Sequence, residues 1–262
     1  MTPMNSHQNY STMNIMKHTL FVLMLLFSSC NVNVEVENDS SQNIISIHSI
    51  LPEKKLNVAF LIVDGVYNSE LVAPMDILHH TVFHTDKGMK VFTVAPSLEV
   101  ITTFEGLRIL PDYSYLYDSL PVIDVLIVPS AEHSMDSDLE DKAMINFVKS
   151  AGENASYVMS LCDGAFVLAK AGLVNGLEST TFPSDIAKYK EMYPQLTVHS
   201  DVSFVHHDKI ITSVGGAKSY DPALYLAEIL YGRTAAEGIA GGLVIDWDLS
   251  EIKHIVASDL HP

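Results

Sequence analysis

From Asn57 onward, short apolar runs alternate with longer amphipathic ones. Continuous apolar runs are typical of strands buried on both faces of a sheet, and amphipathic stretches between them are typical of crossover helices. The predicted strands are 58–63, 89–95, 124–128, 157–161, 202–205 and 210–213, with a hairpin of 99–102 and 107–110, and the predicted helices are 72–83, 139–150, 168–173, 186–192 and 220–230. This order predicts an α/β fold with a doubly wound, mostly parallel sheet.

An apolar run near the N-terminus carries a different signal. Residues 19–27 are continuously apolar apart from Thr19, follow Lys17, and lead into Ser28-Ser29-Cys30. This is the pattern of a signal peptide, and the run is too short to span a bilayer. The ending resembles that of a bacterial lipoprotein signal, which implies that Cys30 becomes the lipid-modified first residue of the mature chain.

These patterns predict four segments. Residues 1–30 are predicted to be a signal peptide of the lipoprotein type, 31–56 a polar tether, 57–250 the folded domain and 251–262 a tail. The predicted location is the periplasmic side of the cell envelope, where the lipid anchor is the only membrane contact. If the leader is not used, the prediction becomes a cytoplasmic protein.

The charge of the chain narrows the range of partners. The formal net charge is −17, from 32 acidic and 15 basic side chains, so the surface would repel a phosphate backbone and nucleic acid is not an expected partner. The chain has 2 cysteines. If Cys30 is lipid-modified, Cys162 is the only free thiol and no intramolecular disulfide can form.

Cys162 is the first candidate for chemistry. The segment Ser160-Leu-Cys-Asp-Gly164 places it between a predicted strand and a predicted helix, with small residues two places on either side, as in a nucleophile elbow. Such a turn exposes the thiol at a helix N-terminus, where the helix dipole is expected to favour the thiolate and to lower the pKa of the thiol. The alternative is an inert buried cysteine.

Three stretches of the domain carry a family resemblance. They are Asp64-Gly-Val-Tyr-Asn-Ser-Glu-Leu-Val-Ala-Pro-Met-Asp-Ile-Leu78, Ser160-Leu-Cys-Asp-Gly-Ala-Phe-Val-Leu-Ala-Lys-Ala-Gly-Leu173 and Thr212-Ser-Val-Gly-Gly-Ala-Lys-Ser-Tyr-Asp-Pro-Ala-Leu224. Residues 57–231 thereby resemble the ThiJ/PfpI superfamily of class I glutamine amidotransferase-like proteins, which includes isonitrile hydratases and the parkinsonism-associated protein deglycase. The resemblance implies a flavodoxin-like fold, a small-molecule substrate and a homodimer.

The resemblance also assigns residues to a site. Glu70 takes the place of the family's acidic residue, which donates a hydrogen bond to the cysteine sulfur and can move a proton. Its alternative role is that of an acid at the start of a helix. The backbone N–H groups of Ala131 and Asp163 take the place of the oxyanion donors. No cofactor is expected, and no metal ion, because His80 and His84 have metal-ligand spacing but no evident third ligand.

The sequence departs from the family pattern at Phe182, where many members have histidine. Phenylalanine cannot accept a proton, so the usual Cys-His pair is absent from its place, which argues against ordinary peptidase chemistry. Two residues are candidates to compensate. His133 follows the third core strand and Asp163 follows the nucleophile; the alternatives are a solvent-exposed histidine and a helix first-turn acid.

The sequence therefore predicts a cysteine-dependent hydrolase or lyase of small molecules, closer to an isonitrile hydratase than to a peptidase. Cys162 is its nucleophile and Glu70 its proton carrier. Two alternatives remain open at this point: a redox-sensing or stress-protective thiol protein, and a ligand-binding member without turnover.

Overall fold

The computed structural model describes residues 52–257. The strands of this part are β1 Asn57–Leu61, β2 Lys90–Ala95, β3 Ile101–Thr102, β4 Arg108–Ile109, β5 Tyr113–Ser114, β6 Val125–Val128, β7 Tyr157–Leu161, β8 Glu178–Ser179, β9 Thr197–Val198, β10 Phe204–His207, β11 Ile210–Ser213 and β12 His254–Ala257. Eight of them form the central sheet, in the order β12-β10-β11-β7-β6-β1-β2-β5. Two further two-stranded sheets pair β3 with β4 and β8 with β9.

Helices cover both faces of this sheet. They are α1 Asn68–His80, α2 Lys142–Asn154, α3 Gly164–Lys170, α4 Ile186–Met192, α5 Tyr220–Tyr231 and α6 Arg233–Gly242. One face packs against α1, α5 and α6. The other packs against α2, α3 and α4. The buried side chains of the strands point alternately to the two faces and pack into two hydrophobic cores, one on each side of the sheet. The doubly wound α/β fold predicted from the sequence is therefore confirmed.

The register of the central strands positions the site. β1, β6 and β7 are parallel neighbours, and β7 is also parallel to β11. Only the β10–β11 pair of the large sheet is antiparallel. The carboxyl ends of β1, β6, β7 and β11 therefore meet at one edge, which is where ligands bind in open α/β sheets.

Several predicted bounds agree with the structure, and others need correction. The predicted strands 157–161 and 210–213 and the predicted helix 186–192 coincide with β7, β11 and α4. The predicted tail is wrong in part, because His254–Ala257 pairs in parallel with β10 as the edge strand β12. The folded part also includes Leu56, which is buried although the tether was predicted to extend to it.

The signal peptide, Cys30 and residues 31–51 of the tether lie outside the described residues, so those assignments stay predictions. Within residues 52–257, no helix is both long enough and apolar enough to cross a bilayer.

The start of α2 offers a test of local stability. The Asp141 carboxylate caps the helix by accepting hydrogen bonds from the N–H groups of Ala143, at 2.9 Å, and Met144, at 3.0 Å. We expect Asp141→Ala to lower the free energy of unfolding by about 1 kcal/mol, because both N–H groups lose their acceptor. Urea denaturation of Asp141→Ala and Asp141→Asn would measure this. Equal losses in the two variants would contradict a capping role, since asparagine retains an acceptor oxygen.

Candidate active site

Cys162 lies at a sharp turn between β7 and α3. Its backbone has φ 52°, in the left-handed region that L-residues rarely adopt. The turn is possible because two glycines let the chain approach closely. A Cβ on Gly164 would lie 2.1 Å from the Val128 carbonyl oxygen, and a Cβ on Gly215 would lie 2.4 Å from the Cys162 Cβ. The nucleophile elbow predicted from the sequence is therefore present in the backbone.

The electrostatic surroundings of the thiol differ from the prediction. Cys162 is only 6% exposed. Burial and the nearby carboxyls of Glu70 and Asp163 raise the pKa of the Cys162 thiol, while the Ser130 side chain and the Asp163 N–H oppose that effect. The groups that act most strongly on the sulfur include no positively charged side chain. The prediction of a lowered thiol pKa is wrong, because two carboxyls and desolvation outweigh the dipole of a seven-residue helix.

Glu70 sits in the first turn of α1 and points into the same space. It is 4% exposed, and its Oε2 accepts hydrogen bonds from the Ser130 N–H at 3.0 Å and the Ser130 Oγ at 2.6 Å. Its Oε1 accepts one from the Gly216 N–H at 3.2 Å. Burial raises the pKa of Glu70, and these hydrogen bonds, with one to Cys162, offset part of the rise. The carboxyl is thus fixed beside the sulfur and can hold or release a proton.

Asp163 is the second carboxyl at the sulfur, and Thr181 binds it. The Thr181 Oγ1 lies 3.1 Å from both the Asp163 Oδ1 and the Cys162 carbonyl oxygen. One hydroxyl proton cannot serve both acceptors fully. A protonated Asp163 would resolve this by donating to Thr181, which would then donate to the Cys162 carbonyl. Burial, together with the nearby charge of Asp185, raises the pKa of Asp163 to about 6, so this protonated arrangement becomes populated at mildly acidic pH.

The raised pKa of Asp163 predicts a dependence of stability on pH. Between its ordinary value of 3.8 and about 6, the folded state binds more protons at Asp163 than the unfolded state does, so stability falls as pH rises through this window. We expect the free energy of unfolding of Asp163→Asn to decrease by about 2 to 3 kcal/mol less than that of the parent over this pH window. Part of the decrease will remain, because the raised pKa of Glu70 acts in the same direction. Chemical denaturation at several pH values would measure it. Asp86→Asn, a change at an exposed carboxylate, is the control. If the stability of Asp163→Asn falls with rising pH as steeply as that of the parent and of Asp86→Asn, the assignment is contradicted.

Two other predicted site residues are placed differently. The His133 side chain is exposed and pairs with Asp136, Nδ1 to Oδ1, at 3.3 Å, and none of the interactions found at Cys162 in the described chain involves it. The Ala131 N–H donates to the Ser134 Oγ at 2.8 Å, so it is not free for a substrate oxyanion. The Asp163 N–H donates a hydrogen bond to the Cys162 sulfur. The two predicted oxyanion donors are therefore both engaged by other groups in the described part of the chain.

Aromatic side chains lie close to the site residues in space or in sequence. Tyr67 precedes α1, and its ring centroid lies 4.8 Å from that of Phe104 on the β3–β4 hairpin. Burial, Cys162 and Glu70 raise the pKa of Tyr67, so its hydroxyl is near the reacting groups and stays protonated. Phe182 is 39% exposed directly after Thr181.

Sequence reasoning did not assign Ser130, Tyr67 or Thr181 to the site. Two signals were available. Ser130 follows the end of the buried strand β6, and Thr181 precedes the position of the family's histidine. Within residues 52–257, no group of three or more His, Cys, Asp or Glu side chains is arranged to hold a metal ion.

Comparisons with known proteins agree with this fold. Residues 56–228 match the model of the DJ-1/PfpI family. The chain is 29% identical to isonitrile hydratase from Pseudomonas putida over 183 residues, covering 70% of this chain and 75% of that protein. It is 26% identical to protein dj-1beta from Drosophila melanogaster over 194 residues, covering 72% and 96%. The crystal structure of Drosophila melanogaster DJ-1beta superposes with a TM-score of 0.63 at 22% identity, covering 74% of this chain and 100% of that one. The chain belongs to the DJ-1/PfpI family.

Proposed function

We propose that this protein hydrates isonitriles to N-substituted formamides, with Cys162 as nucleophile and Glu70 as proton carrier. The observation that carries the proposal is the pairing of a buried thiol at a strand-to-helix turn with a buried carboxyl that is fixed beside it by hydrogen bonds from Ser130 and Gly216. The similarity to isonitrile hydratase from Pseudomonas putida supports the same reaction class.

The reaction needs the Cys162 sulfur and the Glu70 carboxyl at the same substrate atom, the isonitrile carbon. The isonitrile carbon accepts a nucleophile and a proton in turn. In the first step the Cys162 sulfur bonds to that carbon, Glu70 takes the thiol proton, and the proton passes to the same carbon to give a thioformimidate. In the second step water adds to the carbon and the nitrogen gains one of the water protons through Glu70. The carbon–sulfur bond then breaks as the carbonyl forms, and the remaining hydroxyl proton passes to the sulfur. The products are the formamide and the Cys162 thiol, so atoms balance without an oxidant or reductant.

This reaction needs neither two free oxyanion donors nor a histidine in the place of Phe182. The first step develops negative charge on carbon rather than on oxygen, so it does not need two free oxyanion donors, and the Ala131 N–H is already engaged by Ser134. Amide hydrolysis, by contrast, uses a base that later protonates a leaving amine, and Phe182 stands where many relatives place it.

The charge of the site favours neutral substrates. Glu70 and Asp163 flank the sulfur, and Glu132 adds a third carboxylate near Tyr67. These carboxylates would repel an anionic substrate but not a neutral isonitrile. The rings of Tyr67 and Phe104 offer an apolar wall for the substituent on the isonitrile nitrogen.

A substrate panel tests the proposal. The purified full chain would be incubated with aliphatic and aromatic isonitriles, nitriles, primary amides and α-oxoaldehydes, and products would be identified by NMR. We expect formamide from isonitriles and little product from the other classes. If no isonitrile gives formamide faster than in buffer alone, the proposed reaction is wrong.

The redox-sensing alternative has less support. Peroxide must reach the sulfur, and Cys162 is only 6% exposed. Intact-mass measurement after mild peroxide would decide between the two. Rapid addition of oxygen at Cys162, faster than in an unstructured peptide thiol, would favour the sensor.

A further inference from the structure

A cavity of about 690 Å³ borders the thiol site. It is lined by α4, residues 200–203, the turn that precedes α5 and residues 251–253, together with Thr180 and Thr181, and Thr181 also contacts Asp163. Neither Cys162, Glu70 nor Asp163 lines it. The volume falls in the range of about 300–1,000 Å³ that small-molecule sites occupy.

Charged side chains of both signs line this cavity. They are three lysines and three carboxylates: Lys190, Lys218, Lys253, Asp201, Asp221 and Glu251. One opposite pair is internal, because the Lys218 Nζ lies 3.6 Å from the Asp221 Oδ2, which also accepts a hydrogen bond from the Ser203 Oγ at 2.6 Å. That pair is already satisfied.

The remaining four charges are not matched to one another. In the described part of the chain, no ion pair within 4.0 Å involves Lys190, Lys253, Asp201 or Glu251. The cavity therefore presents two unpaired ammonium groups and two unpaired carboxylates. A ligand with one sign of charge would be attracted by one pair and repelled by the other.

We propose that this cavity binds a small zwitterion. The carboxylate of the ligand pairs with Lys190 and Lys253, and its ammonium group pairs with Asp201 and Glu251. Charge-assisted hydrogen bonds of this kind fix orientation as well as contributing affinity. The proposal does not depend on the reaction at Cys162, since the four charged side chains that it uses are not among the groups that act most strongly on the Cys162 sulfur.

Isothermal titration with matched probes tests it. The probes are straight-chain α,ω-amino acids of increasing length, with the dicarboxylates and the diamines of the same lengths, each added to the full chain. We expect at least one amino acid to bind with a Kd of about 1 mM or tighter, and tighter than both matched probes. Absence of binding across the series, or tighter binding of a dicarboxylate or a diamine, would overturn the proposal.

Variants locate the binding. Lys190→Gln and Asp201→Asn should each weaken binding by about tenfold, which corresponds to losing one charged contact. Lys188→Gln is the matched control, because Lys188 is on the same helix but does not line the cavity. Cys162→Ser should bind as the parent does. Equal effects of Lys188→Gln and Lys190→Gln, or loss of binding in Cys162→Ser, would show that the probe binds elsewhere.

Discussion

Cys162→Ser is expected to lower the rate of isonitrile hydration by about 10³-fold or more, because a serine hydroxyl is a far weaker nucleophile than a thiol in a site that already disfavours negative charge. The change replaces one atom and keeps the same Cβ, so it leaves the packing against Gly215 unchanged. NMR detection of formamide would give kcat/KM for the parent and the variant.

Intact-mass measurement provides the second readout for this variant. With excess isonitrile, the parent should show a transient adduct at Cys162 with the mass of the substrate, and Cys162→Ser should show none. A thermal melt of both proteins controls for folding. If Cys162→Ser forms formamide at the parent rate, Cys162 is not the nucleophile.

Glu70→Gln is expected to lower the same rate by about 10² to 10⁴-fold, the usual loss when a general acid–base group is removed. Glutamine keeps one oxygen for the Ser130 donors, but its NH₂ group must then face the Gly216 N–H, which binds Oε1 in the parent. Some loss of stability is therefore expected beside the loss of turnover. Glu70→Asp retains the acid and should lose less activity than Glu70→Gln.

Alkylation separates a catalytic role of Glu70 from a structural one. Removing the Glu70 charge removes one of the groups that raise the pKa of Cys162. Iodoacetamide should therefore modify Cys162 faster in Glu70→Gln than in the parent at mildly alkaline pH, while turnover falls. Slower alkylation together with slower turnover would mean that Glu70 only supports the shape of the site.

Most of the central fold was predictable because its strands are buried on both faces. Such strands are continuous apolar runs whatever surrounds them, as in Val125–Val128. The edge strand β12 has no such run, since only one neighbour pairs with it and its residues are half-buried or exposed. Helix α6 was missed because Gly238, Gly241 and Gly242 weaken its helical pattern.

The site was predictable in its members but less so in its electrostatics. The positions of Cys162 and Glu70 follow from local motifs on two strand ends that a parallel sheet brings together. The pKa of the thiol depends on how closely carboxyls from separate segments approach the sulfur and on whether a positively charged side chain lies near it. No local sequence pattern encodes these distances. Capture of the Ala131 N–H by Ser134 is likewise a matter of loop geometry.

The left-handed backbone at Cys162 limits which nucleophiles this family member can ever use. At φ 52°, a β-branched side chain crowds the adjacent carbonyl, and Gly215 leaves no room for the chain to move away. Serine can take the position with the same backbone as cysteine. Threonine, another hydroxyl nucleophile, cannot do so without rebuilding the turn, so serine is the small hydroxyl side chain that can replace cysteine and keep this backbone.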